Sequence, residues 1–93
     1  MSSGLAAQRS VQILNRYGLH ARPAAEFVKL ANQFRADVFV RKQDLEVNGK
    51  SIMGMMMLAA ECGSEITIRA DGDDAEDAVA RLIGLVEQKF GEE

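Results

Sequence analysis

The sequence predicts an α+β domain. It would be an open-faced β-sandwich in the order β-α-β-β-α-β-α, with a four-stranded antiparallel sheet and three helices on one face. Three observations predict it. Segments with alternating apolar residues and segments with apolar residues at helical spacing follow one another in that order. Two helices interleave with the strands as in a split β-α-β arrangement. The 93 residues are enough for one core and not for two. With four Phe, one Tyr and no Trp, that core must be aliphatic, with Ala and Met as fillers.

Residues 1–8 are small and polar and read as a flexible extension; residues 9–93 read as the single domain. Val11 to Leu14 alternates and predicts the first strand, with Val11 and Ile13 inward. A loop follows from Asn15 to Leu19. From Ala21 to about Asn32, the residues Ala24, Phe27, Val28 and Ala31 recur at helical spacing, with Glu26 and Lys29 on the opposite face. Ala36 to Arg41 is rich in Val and Phe and predicts the second strand. Gln43 and Asp44 form a tight turn into a short third strand, Leu45 to Val47. Ser51 is a plausible N-cap for a helix from Ile52 to Leu58. Glu65 to Arg69 alternates and predicts the fourth strand. The acidic loop Asp71 to Asp74 suits the start of a last helix, whose stripe is Ala75, Ala78, Val79, Leu82, Leu85 and Val86. That helix runs to about Lys89, and Gly91 to Glu93 form a tail.

Charge is unevenly distributed. Residues 1–43 hold seven Lys/Arg against two acids, and residues 44–93 hold four against twelve. The basic half favours phosphate and acidic partner surfaces. The net charge of −3, with no basic stripe interleaved with aromatics, disfavours nucleic acid. One cysteine, Cys62, excludes an intrachain disulfide, suits a reducing cytoplasm and reads as a small, partly buried apolar residue. No Cys or His cluster offers a metal site. The first residues lack a basic segment and a long apolar core, so a signal peptide is not expected, and no apolar run is long enough to span a bilayer. A soluble cytoplasmic protein is the expectation.

The chemistry concentrates in Gly18-Leu19-His20-Ala21-Arg22-Pro23-Ala24, which holds the only histidine and the only proline. Pro23 fits the first turn of a helix, where its missing N–H costs no intrahelical bond. His20 then lies at or just before the N-cap. The free N–H groups of a helix start form an anion site, and Arg22 adds a planar cationic fork. Gly18 permits a sharp turn into this arrangement. From chemistry alone, His20 is either a surface cap or a nucleophile beside a place for a phosphoryl group. Imidazole is the side chain best suited to be neutral and nucleophilic near pH 7.

This stretch is similar to the active-site signature of the HPr family, the histidine-containing phosphocarriers of the phosphoenolpyruvate-dependent phosphotransferase system. The similarity continues through Ala25-Glu26-Phe27-Val28-Lys29 and into a second block, Val47-Asn48-Gly49-Lys50-Ser51-Ile52-Met53-Gly54. It covers roughly residues 9 to 90. The resemblance implies the strand order 1-4-2-3. It also implies that Nδ1 of His20 takes a phosphoryl group from enzyme I, with Ala21 and Arg22 helping to bind it. Sugar-specific acceptor proteins of the IIA type then receive it. No cofactor or metal is implied, and the chain is expected to act as a monomeric carrier, not a self-contained enzyme.

Ile52-Met53-Gly54-Met55-Met56-Met57-Leu58 is apolar on every face, yet a helix on one sheet buries only one stripe. Met55 and Leu58 are expected in the core. The resemblance assigns Ile52, Met53 and Met56, with Ala25 and Lys29, to partner docking, a role that flexible Met suits. Ser51 is an N-cap on its own chemistry. The resemblance adds phosphorylation by a serine-specific HPr kinase/phosphorylase. Two other readings stand beside the carrier: a phosphocarrier of the regulatory nitrogen branch, against which Leu19 speaks weakly, and a regulatory partner-binding domain of the same fold, against which His20 speaks.

Overall fold

The computed structural model describes residues 5–92. Four strands, β1 (Ala6–Gln12), β2 (Asp37–Lys42), β3 (Leu45–Asn48) and β4 (Glu65–Asp71), form one antiparallel sheet in the order β1-β4-β2-β3. Helices α1 (Ala21–Ala31), α2 (Ile52–Met57) and α3 (Ala75–Glu87) cover one face. A 3-10 turn at Lys89–Gly91 follows α3. The element order and the strand order implied by the resemblance both hold.

The sheet is two-faced because its strands alternate. On β4, Ile66, Ile68 and Ala70 are fully buried, while Glu65, Thr67, Arg69 and Asp71 face the open side. Val38 and Val40 of β2 continue the buried row. The open face is polar: Ser10 Oγ and Thr67 Oγ1 lie 2.9 Å apart, and Arg69 pairs with Asp71 and Glu46 and stacks over Phe39. Phe27, Met55, Leu82 and Val86 close the core from the helical side.

The first strand begins at Ala6, earlier than Val11. It takes in part of the stretch expected as an extension, because Ala6, Ala7 and Gln8 pair with Asp71, Ala70 and Arg69. Residues 1–4 of that stretch lie outside the described residues. Ile13 is fully buried as expected and still exchanges backbone hydrogen bonds with the loop before β4, through Ser64 O and Gly63 N. Val11 is only partly buried.

Three local expectations change. Asp74 does not cap α3 with its side chain. Its carboxylate instead accepts from the N–H groups of Arg35 and Ala36, at 2.9 and 2.8 Å, and so pins the entry to β2. These donors hold its carboxyl below the ordinary aspartate value. Cys62 is exposed, not partly buried, because the loop before β4 runs over the surface. On α3 the buried stripe includes Ile83, while Leu85 packs only at the core's margin.

Candidate functional site

His20 is the N-cap of α1, with extended backbone (φ −77°, ψ −175°), and its carbonyl accepts the first helical bond from Ala24 N–H at 3.0 Å. Pro23 is buried in the first turn. Because it has no N–H, the unpaired donors of this turn reduce to those of Ala21 and Arg22. The loop that delivers His20 turns at Gly18, whose φ is +69°. A Cβ there would stand 2.9 Å from Glu61 Cα and closer still to the Ala60 carbonyl. Leu19 N–H donates to that same carbonyl at 2.9 Å, which ties the loop to the segment after α2.

A shallow open cleft is lined by Arg16, Tyr17, His20, Arg22 and Glu92. Tyr17 meets the His20 ring edge to face at 6.3 Å, and the Arg16 guanidinium lies 5.5 Å from the Tyr17 ring. Among the described residues Arg22 has no ion pair, so its fork is available to an anion. A helix start stabilises an anion by about 0.3–1 kcal/mol, up to ~2. An exposed Arg adds about 0.2–1 kcal/mol. Contributions of this size can orient an anion without trapping it. A larger cleft runs along Leu5, Ala6 and Gly72 to Asp77, but its carboxylates (Asp73, Asp74, Glu76 and Asp77) would repel a phosphoryl group.

The carboxylate beside the ring is not among the residues that the sequence singles out. Glu92, expected in a free tail, places Oε2 3.1 Å and Oε1 3.3 Å from His20 Nε2. It arrives there because Lys89, Phe90 and Gly91 all take positive φ and Phe90 is buried, so the chain doubles back after α3. No local signal marks it, since 72 residues separate the pair. Arg16 and Tyr17 were likewise not assigned to the site.

A family model, "PTS HPr component phosphorylation site", matches residues 7–88. The chain belongs to the HPr family. It is 47% identical over 85 residues to the phosphocarrier protein HPr of Neisseria meningitidis serogroup A, covering 91% of this chain and 96% of the relative. It is 45% identical over 82 residues to the HPr-like protein Crh of Bacillus subtilis, covering 88% and 96%. The crystal structure of HPr-C-His from Thermoanaerobacter tengcongensis superposes with a TM-score of 0.90 at 46% identity, covering 94% of this chain and 98% of that one. Membership of the HPr phosphocarrier family of the phosphotransferase system implies partner proteins of that system.

The second expected site of this chain lies on α2. Ser51 is its N-cap, and Oγ accepts from Gly54 N–H at 3.0 Å. Met55 and Leu58 are buried, as expected from the sheet-facing stripe. Ile52, Met53 and Met56 are exposed by 44%, 74% and 45%, and Met57, not singled out from sequence, by 65%. The four sit at i, i+1, i+4 and i+5 and form one outward apolar face. On α1, Lys29 is exposed and Ala25 partly so.

Proposed function

We propose that this chain carries a phosphoryl group on Nδ1 of His20, taking it from enzyme I and passing it to IIA-type acceptor proteins. One observation carries the reading. The ring of a helix-capping histidine lines an open cleft beside an unpaired arginine, and its Nδ1 has no hydrogen-bond partner among the described residues. Nδ1 supplies the attacking lone pair. The N–H groups of Ala21 and Arg22 and the Arg22 guanidinium meet the phosphoryl oxygens. Arg16, on the same cleft, adds to the field that draws an anionic donor. Ile52, Met53 and Met56, with Ala25 and Lys29, form the docking surface. Ser51 is the regulatory phosphorylation site for a serine-specific kinase/phosphorylase. The protein acts in the cytoplasm as a monomer and needs no cofactor.

The test is incubation with enzyme I and labelled phosphoenolpyruvate, followed by mapping of acid-labile phosphate. His20→Ala abolishes labelling and leaves the fold intact, since the ring is placed for access and not for packing. Undiminished labelling of that variant overturns the reading. The likeness to Crh supports a second reading, a regulatory partner-binding domain working through Ser51 and α2. Labelling on His20 that is passed on to an acceptor protein decides against it.

A further inference from the structure

The Glu92 carboxylate meets the His20 ring at Nε2, the nitrogen on the far side of the ring from Nδ1. An ionised carboxylate only accepts hydrogen bonds. With both its oxygens within 3.3 Å of Nε2, the neutral ring must carry its proton on Nε2. Glu92 is itself held from behind. Asn15, fully buried, donates Nδ2–H to Glu92 Oε1 at 3.1 Å and to the Gly18 carbonyl at 2.8 Å. Both amide hydrogens are thereby directed at acceptors, and turning the amide over would set its oxygen against them. The Oδ1 atom is buried without a partner among the described residues. Leaving such an oxygen unpaired is costly, and the buried amide keeps this orientation all the same.

We propose that Asn15 and Glu92 are a positioning pair for the phosphoryl-accepting ring. Glu92 holds the Nε2–H tautomer and Asn15 holds Glu92, so that the lone pair stands on Nδ1. This rests on the carrier reading and deepens it. In transfer, the Nδ1 lone pair forms the N–P bond while the donor protein's bond to phosphorus breaks, its electron pair leaving with the donor. Nε2 keeps its hydrogen, the ring becomes a phospho-imidazolium, and its positive charge faces the Glu92 carboxylate. In the onward step the acceptor's lone pair forms a bond to phosphorus and the N–P pair returns to Nδ1. The ring is neutral again, and no proton has crossed it in either direction.

The experiment reads the ring directly. Ring nitrogen NMR of the full chain, labelled at histidine and held above the ring's titration, shows a single tautomer with hydrogen on Nε2. Glu92→Ala introduces a measurable population with hydrogen on Nδ1. Glu92→Gln restores the wild-type tautomer, because its amide oxygen accepts the same hydrogen. Single-turnover transfer from phosphorylated enzyme I slows about tenfold in Glu92→Ala, the loss of one charge-assisted hydrogen bond, and less in Glu92→Gln. Asn15→Ala shifts the tautomer in the same direction as Glu92→Ala and adds nothing in that background. If Asn15→Ala does not fold, the two Glu92 variants decide. An unchanged ring spectrum in Glu92→Ala overturns the positioning pair. If wild type is labelled on His20 and Glu92→Ala matches it in rate and spectrum, the pair falls and the carrier reading stands. If wild type takes no phosphoryl group, the carrier reading falls and the ring spectra still decide what Glu92 does.

Discussion

Arg22 is exposed at the start of α1 and packs against nothing that the core needs. Arg22→Ala therefore slows phosphoryl transfer in both directions while changing stability by no more than about 0.5 kcal/mol. Transfer rates and thermal melts check this; a sharp loss of stability with normal transfer would make Arg22 a structural residue. Asp74 behaves oppositely, as a structural carboxylate. The Arg35 N–H first, and then the Ala36 N–H and the charge of Lys50, hold its carboxyl below the ordinary value of 3.8, against the opposing effect of burial. A carboxyl depressed in the folded state stabilises above its unfolded pKa and loses that contribution as pH falls through the folded one. Asp74→Asn is thus less stable than wild type at neutral pH, and the difference between their melting temperatures closes as pH falls below 3.8. A gap that stays constant into acid would assign the loss to shape and not to charge.

Ser51 and α2 belong together, because the same hydroxyl that caps the helix borders its exposed apolar face. A phosphate on Ser51 carries about −1.5 to −2 charges, favourable at a helix N-terminus. Beside Ile52, Met53 and Met56 it would have to be desolvated against a partner surface, which is costly. Ser51→Asp therefore weakens productive encounter with enzyme I much more than it changes folding. Ser51→Ala removes the Gly54 N–H bond and costs about 0.5–2 kcal/mol. Transfer rates and melts for wild type and both variants separate the two effects; equal rates throughout would leave Ser51 a helix cap only. The cap and the excess of apolar residues on α2 were both legible in sequence, from a serine at the right place and a helix too apolar to bury. Met57 was not, because its exposure depends on how far the helix is rotated on the sheet.

Across the whole molecule, the core and the C-terminal turn differ in how they answer truncation. Phe27 is fully buried in the centre, so Phe27→Ala lowers stability by about 3–5 kcal/mol. Phe90 is also buried, at the edge of the same core, but it lies in the turn after α3, at φ +56°. That turn can undock without opening the sheet. Phe90→Ala therefore costs less than Phe27→Ala, and it releases Glu92, so that the His20 ring spectrum moves toward that of Glu92→Ala. Denaturant melts and the same ring NMR measurement check both halves. Equal destabilisation by the two substitutions would mean that the turn unfolds only with the core.

What the chain determined by itself is what neighbours in sequence determine. The alternation of Ile66 and Ile68, the helical spacing of Ala24, Phe27, Val28 and Ala31, the place of Pro23 in a first turn and the cap at Ser51 are all periodicities or local hydrogen bonds. They were enough for the fold class and for a histidine at a helix start beside an arginine, which chemistry alone left as either a surface cap or a nucleophile. The strand order needed the resemblance, because no periodicity says which strand pairs with which. Only the tertiary structure decided that Ala6 pairs with Asp71, that Asp74 serves β2 instead of α3, and that Glu92 returns to the histidine through a turn of positive φ held by one buried phenylalanine. Each joins residues tens of positions apart, and such contacts are set by which surfaces a closed core leaves adjacent. Local spacing carries no record of them.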